Sequence, residues 1–219
     1  MTVRYVGESP EYRKARDELL AAEIALRDQR EAVAALRRAL PTNPVATDYV
    51  FREGPADLEK DDPVRDVRLS ELFGEKDELI LVHFMFDPSW EKGCPMCSMW
   101  ADTYDRAAAH VSQRASFAVV AKQEIGAFRR WARVRGWRSL RLLSAHDSPF
   151  IGDFGMEGDD GQRPGVSVFT RDAQGNVHHT NTVEATLDGR YRGVDLLSPV
   201  WHLFDLTPSG RGDWMPSNP

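Results

Sequence analysis

The 219-residue chain has only two cysteines, no excess of basic residues and no long apolar segment. Two cysteines cannot crosslink a domain of this length, which excludes a disulfide framework. A formal net charge of −6 provides no attraction for nucleic acid. No apolar run approaches the roughly 18 residues of a membrane helix. Hydrophobic residues at 42% and charged residues at 28% are typical of a folded protein, so we expect one without a nucleic-acid or membrane partner.

The beginning of the chain also lacks the features of a secretory leader. The segment MTVRYVGESPEYRK is polar, without a basic region followed by an apolar one. We therefore expect a cytoplasmic protein. Cysteines in a reducing compartment are more often redox-active or metal-binding than structural crosslinks.

A long helix is predicted near the beginning of the chain. Ser9, Pro10 and Glu11 form a typical helix start, and Pro41 ends the pattern. Apolar residues recur every seven positions in between, which predicts one apolar stripe that packs on the protein's own body or on a partner, or forms the seam of a homodimer. The stripe consists of Tyr12, Leu19, Leu26, Val33 and Leu40. We expect a helical extension over residues 1–45 and a second domain over residues 46–219.

From Leu69 onward, segments typical of strands and helices alternate. A short strand in TDYVFREG precedes them, and no internal repeat is found. The pattern predicts β-α-β-α-β followed by β-β-α. Its segments are a short helix LSELFG, a strand at 78–86, a helix at 95–114, a strand at 117–121, a helix QEIGAFRRWARVRG ended by Gly136, a strand at 140–145, an antiparallel hairpin over 166–182, and a last helix GVDLLSPVWHLFDL bent or split at Pro199.

Both cysteines lie in the segment DPSWEKGCPMCSMWAD, between the apolar strand and the next helix. Cys94 therefore stands at a helix N-terminus, where free N–H groups and the helix dipole favour a thiolate. The pKa of such cysteines falls from about 8.5 to roughly 3.5–7.5. Cys97, three residues later, lies close enough to attack a mixed disulfide on Cys94. The spacing predicts a nucleophile at Cys94 and a resolving thiol at Cys97.

Two other interpretations of the pair stay open at this point. The cysteines could be buried structural residues, although a strand-to-helix loop is an unusual place for them. They could also bind zinc, but that requires further ligands, and His178 with His179 is the only other dense candidate. We expect no metal and no cofactor.

The segments ILVHFMF, the C-x-x-C helix and RPGVSVF resemble the thioredoxin fold. The phrases HFMFDPSWEKGCPMCSMWAD, FAVVAKQEIGAFRR, PGVSVFTRD and YRGVDLLSPVWHLFDLTPSGR resemble more closely the bacterial thioredoxin-like family DUF899, a domain of unknown function, over nearly the whole chain. The resemblance implies an α/β thioredoxin-like three-layer sandwich, a mixed central sheet with flanking helices, plus the long N-terminal helix. The family name implies no activity.

The resemblance also implies roles for individual residues. It makes Cys94 and Cys97 the redox pair and places Pro164 where thioredoxins hold a cis proline, so we predict a cis Arg163–Pro164 bond. His83 stands where thioredoxins carry a buried acid. It could accept the proton of Cys97, or it could be an ordinary core histidine bonded to the backbone. We expect the substrate to contact Trp90, Pro95, Met96, Arg163 and Pro164.

Three functions are compatible with these features. The first is a thiol-disulfide oxidoreductase that acts on a disulfide-bearing protein or a small-molecule disulfide. The second is a peroxiredoxin-like thiol peroxidase, although the loop before Cys94 lacks the Thr and Arg that peroxiredoxins need. The third is a non-enzymatic binding module that uses the same fold, in which both cysteines are dispensable.

Overall fold

A computed structural model describes residues 3–187 and 197–218. Contacts within the chain divide it into two compact units, Met1–Pro41 and Thr42–Pro219. The sequence predicts this boundary four residues later, between 45 and 46. Within the described ranges, no helix is both long enough and apolar enough to cross a membrane.

The first unit consists mainly of helix α1, Pro10–Arg38. Ser9 caps it by accepting a hydrogen bond from the Tyr12 N–H at 3.1 Å, and Pro10 occupies the first turn, as the sequence predicts. No residue of α1 is buried. Packing of its apolar stripe and dimerisation through it both stay predictions.

The second unit contains a sheet whose described part has eight strands. These are β1 Asn43–Pro44, β2 Val50–Glu53, β3 Arg65–Arg68, β4 Glu78–Phe84, β5 Ser116–Ala121, β6 Leu142–Ser144, β9 Gly165–Arg171 and β10 Val177–Glu184. A separate small hairpin pairs β7 Glu157–Gly158 with β8 Gly161–Gln162. The helices are α2 Pro95–Val111, α3 Ile125–Arg135, α4 Phe150–Asp153 and α5 Val200–Asp205, with a 3₁₀ helix at Leu69–Glu71.

The strand order is β1-β10-β9-β4-β5-β6-β2-β3. Strands β4, β5 and β6 are parallel, because α2 and α3 carry the chain back between them, whereas β9 pairs antiparallel with β4 and β10 antiparallel with β9. This is the predicted mixed sheet, and the thioredoxin-like fold is confirmed. The predicted strands and helices are present, with ends shifted by a few residues. The first part of the predicted last helix lies outside the described residues; the described part, α5, begins directly after Pro199.

The sheet is covered by apolar clusters on both faces. Along β4, Val82 and Phe84 point into a cluster that includes Trp100 of α2 and Phe128 of α3. Leu79 and Leu81 belong to the cluster on the other face, together with Phe150 of α4. Because successive residues of a strand point to opposite faces, β4 is apolar almost throughout. Helix α2, and with it the cysteine pair, therefore lies on the face of Val82 and Phe84.

Candidate functional site

The cysteine loop is fixed to the end of the central strand. The N–H of Cys94 donates to the carbonyl oxygen of Met85 at 3.0 Å, directly after β4. Pro95 then begins α2, where a missing N–H costs nothing, and the Ser98 N–H donates to the Cys94 carbonyl at 2.9 Å. Cys94 thus occupies the N-cap position of α2, as the sequence predicts.

Both cysteines are free thiols, but their environments differ. Cys94 is partly exposed, whereas Cys97 is 1% exposed. The pKa of Cys94 is lowered to about 7, first by a hydrogen bond from the Cys97 thiol and further by the backbone N–H groups of Cys97 and Met96, against the opposing effect of burial. A substantial fraction of Cys94 is therefore a thiolate at neutral pH.

Cys97 has the opposite electrostatic character. Burial raises its pKa well above the usual value, and the hydrogen bond to Cys94 and the negative charge of the Cys94 thiolate add to this effect, while the backbone of Met85 partly offsets it. The negative charge is thus localised on Cys94, with the proton on Cys97. Such an arrangement distinguishes an exposed attacking sulphur from a buried second one.

Close packing against Phe84 and Trp131 holds the cysteine loop in place. A Cβ atom on Gly93 would lie 2.6 Å from Cε1 of Phe84 and 2.8 Å from the indole nitrogen of Trp131, so only glycine fits without rearrangement. The same indole nitrogen donates to the hydroxyl of Ser98 at 3.1 Å. Trp131 of α3 therefore contacts the backbone before Cys94 and the side chain after Cys97.

The C-terminal segment also reaches this loop. The side-chain amide of Asn218 donates to the carbonyl oxygen of Gly93 at 2.7 Å. Trp214, four residues earlier, packs against Phe204 with ring centroids 5.0 Å apart. Gly93, directly before Cys94, is therefore contacted by a part of the chain far away in sequence.

The predicted substrate contacts are distributed unevenly around the thiols. Pro95 is exposed at the start of α2, and Trp90 is 40% exposed on the preceding loop. Met96 packs in the core, so only its backbone faces Cys94. Trp100 is fully buried. Trp100 therefore belongs to the core and is not a surface for a substrate, and Met99 packs partly against the same cluster.

The predicted cis bond at Pro164 is wrong. The described residues contain a cis peptide only at Asp62–Pro63, so the Arg163–Pro164 bond is trans. The chain reverses before Pro164, in the β7–β8 hairpin, where Gly161 has a φ of +104°. Pro164 precedes Gly165, which pairs with His83, and so lies at the end of the sheet where α2 begins. The Arg163 guanidinium donates to Asp160 at 2.6 Å.

His83 lies on the opposite face of the sheet from the thiols. Its ring stacks on Phe150 with centroids 5.6 Å apart, and its Nε2 is 2.8 Å from the hydroxyl of Ser167. Burial lowers its pKa to about 3, with a smaller contribution from His179. The sheet separates His83 from Cys97, so the geometry favours the alternative of a neutral core histidine, although its partner is the Ser167 hydroxyl and not the backbone.

Several residues around the thiols have no signal in the sequence. Ser98, Trp131 and Gly93 come together through packing between α2 and α3. Gln123 is buried and donates to the carbonyl oxygen of Asp87 at 3.0 Å, and this bond fixes the loop that leads to Cys94. Only the glycine directly before the first cysteine could have been noticed. In the part of the chain that the structure describes, no three His, Cys, Asp or Glu residues are grouped to bind a metal ion.

Comparison with models of known protein families identifies the family of this chain. A family model described as bacterial protein of unknown function (DUF899) matches residues 1–218. The chain belongs to this family. The resemblance recognised from the sequence is therefore confirmed at family level. No curated protein sequence matches the DUF899 chain.

Solved structures resemble this DUF899 protein at low identity. Peroxidoxin BcpB from Mycobacterium tuberculosis is 18% identical, with a TM-score of 0.48, over 72% of this chain and 93% of that one. Thioredoxin peroxidase I from Plasmodium yoelii is 15% identical, with a TM-score of 0.48, over 81% and 100%. The reduced 2-Cys peroxiredoxin of Plasmodium vivax is 15% identical, with a TM-score of 0.45, over 74% and 98%. Likenesses this distant carry no information about activity.

Proposed function

We propose that this DUF899 protein is a thiol-disulfide oxidoreductase in which Cys94 is the nucleophile and Cys97 the resolving thiol. The observation that carries the proposal is the arrangement of the two thiols on α2: Cys94 is partly exposed at the N-cap, and Cys97, three residues later, is buried. It supports a thiolate at the accessible position and holds the second sulphur within reach of the first.

The reaction follows from this arrangement. The Cys94 thiolate attacks one sulphur of a substrate disulfide, forming a mixed disulfide and releasing the other sulphur as a thiolate. The negative charge of Cys94 is then gone, so one cause of the raised pKa of Cys97 is removed. Cys97 loses its proton and attacks the Cys94 sulphur. The substrate leaves as a dithiol or as two thiols, and the protein keeps the two-electron oxidation as a Cys94–Cys97 disulfide.

An aromatic disulfide such as dithionitrobenzoate tests the assignment, because each released thiolate is coloured. The wild-type protein should release two equivalents per chain and retain no adduct. Cys97→Ser should release one and carry the adduct at Cys94, detected by mass spectrometry, whereas Cys94→Ser should react slowly. A stable adduct on Cys97 in place of Cys94, or equal rates in the wild type and Cys94→Ser, would contradict the assignment.

The two alternatives give different results with the same variants. A peroxidase would consume hydrogen peroxide much faster than free cysteine does, with a sulfenic acid at Cys94 trapped in Cys97→Ser. A binding module would keep its partner when both cysteines are replaced by serine. Peroxide consumption at the rate of free cysteine, together with disulfide exchange through Cys94, is the result that we expect.

A further inference from the structure

A cleft of about 680 Å³ opens between the loop that leads to Cys94 and helix α3. Trp90 and Lys92 line it from the loop, and Glu124, Arg130 and Trp131 line it from the other side. Sites for small molecules usually have volumes of about 300–1,000 Å³. The cleft is therefore large enough to hold an entire small ligand.

The walls of this cleft are held together without a ligand. The side-chain amide of Gln123 donates to the carbonyl oxygens of Asp87 at 3.0 Å and Trp90 at 3.4 Å, while its oxygen accepts from the Glu124 N–H at 3.0 Å. Gln123 is 5% exposed. One buried amide thus connects the loop to the start of α3, and preformed walls reduce the entropy lost on binding.

The cleft borders the loop that leads to the nucleophile. Lys92 precedes Cys94 by two residues, and Gly93 between them carries no side chain. The indole of Trp131 forms one wall of the cleft and lies against the Gly93 backbone, 2.8 Å from the point where a Cβ would be. A ligand that fills the cleft is therefore adjacent to the loop that carries the Cys94 sulphur.

The lining combines aromatic surface with charges of both signs. Two cationic side chains, Lys92 and Arg130, and two anionic ones, Glu91 and Glu124, are exposed around Trp90. The chain as a whole has a net charge of −6, which disfavours a purely anionic ligand. Charge complementarity favours a ligand that carries carboxylate and ammonium groups together.

We propose that the cleft binds one half of a low-molecular-weight disulfide formed by small zwitterionic peptides, and so presents its sulphur to Cys94. This inference rests on the proposed function and names its substrate class. The Cys94 thiolate attacks the bound disulfide and releases one peptide thiolate. Cys97 then gives up its proton, attacks the Cys94 sulphur and releases the second peptide thiolate. The peptide disulfide gains the two electrons that the cysteine pair loses.

Oxidised glutathione serves as the zwitterionic probe, and hydroxyethyl disulfide as a small uncharged one. In the wild type, kcat/KM should be higher for oxidised glutathione. Arg130→Ser should raise KM for oxidised glutathione about fivefold with little change in kcat, and should leave the uncharged probe unaffected. Arg106→Ser, at an exposed position of α2 outside the cleft, is the matched control and should change neither rate.

Equal kcat/KM for the two probes in the wild type, or equal slowing of both by Arg130→Ser, would overturn the assignment of the cleft. If Arg130→Ser selectively slowed the reduction of a protein disulfide such as that of insulin, this would also overturn the assignment, in favour of a protein segment as the occupant.

A second measurement separates this proposal from the redox one. S-methylglutathione cannot exchange disulfides, so its calorimetric binding to Cys94→Ser, weakened by Arg130→Ser, should persist even if the thiols prove inactive; absence of binding would contradict the site.

Discussion

Cys97 lies one helical turn along α2 from Cys94, which occupies the N-cap of that helix. Cys97 is buried and Cys94 is partly exposed. The contact between the two thiols is the largest cause of the lowered pKa of Cys94, and it adds to the burial that raises the pKa of Cys97, so the two chemically identical side chains take different roles.

Removal of that contact should make Cys94 less acidic. In Cys97→Ala the largest cause of the lowered pKa is lost, and the pKa of Cys94 should rise from about 7 towards the usual value of about 8.5. The pH dependence of alkylation by iodoacetamide, read by mass spectrometry at Cys94, measures it. Cys97→Ser keeps a hydroxyl donor and should show a smaller rise. An unchanged midpoint in Cys97→Ala would show that the contact does not set the pKa.

Gly93 should tolerate no side chain. The Cβ of Gly93→Ala would lie 2.6 Å from Phe84, so the loop or the ring must move, and the free energy of unfolding should fall by about 1–3 kcal/mol. Cys94 should also be alkylated at a changed rate, because it follows the displaced backbone. Gly152→Ala, in α4 with no atom within 4 Å of the new Cβ, is the matched control and should be neutral or slightly stabilising. Urea denaturation that ranks the two variants equally would refute this account of the packing.

The hydrogen bond between Trp131 and Ser98 should contribute to stability as a pair. Trp131→Phe removes the donor and leaves the buried Ser98 hydroxyl without it, at a cost of about 1–3 kcal/mol. Ser98→Ala similarly leaves the indole N–H without an acceptor. The double variant should lose less than the sum of the two single ones, and chemical denaturation of all four proteins measures this coupling. Strict additivity would mean that the bond contributes nothing.

His83 should make stability depend on pH in mildly acidic solution. Its pKa is about 3 in the folded protein and about 6.5 in an unfolded chain, so only the unfolded state binds the proton between these values. The stabilisation is fully present above pH 6.5 and is lost as the pH falls towards 3, by up to about 1.4 kcal/mol per pH unit. His83→Asn should have a shallower dependence in urea titrations between pH 7 and 4. Identical slopes in the two proteins would place a neutral histidine at this position in doubt.

The sequence predicts the site as far as local chemistry determines it. The apolar run of β4, the C-x-x-C spacing and Pro95 are enough to place Cys94 at a helix start. They do not reveal which face of β4 carries α2, because both faces are apolar, and this face decides that His83 is remote from the thiols. The sequence also has no signal for the small β7–β8 hairpin that precedes Pro164 or for the trans bond at that proline.

The remainder of the site depends on tertiary packing. Met96 turns into the core although its neighbour Pro95 is exposed, because a helix start presents successive side chains to different surroundings. Trp131 and Asn218 reach the loop from distant positions in the chain, and no spacing rule connects them with the cysteines.

The most direct test of the redox proposal is the equilibrium between the dithiol and the Cys94–Cys97 disulfide in buffers of reduced and oxidised dithiothreitol. After acid quenching and alkylation, mass spectrometry gives the fraction of each form. We predict one reversible two-electron transition with an intramolecular disulfide, absent from Cys94→Ser and Cys97→Ser. A wild-type protein that keeps both thiols under oxidising conditions, or that forms only intermolecular disulfides, would contradict the proposal.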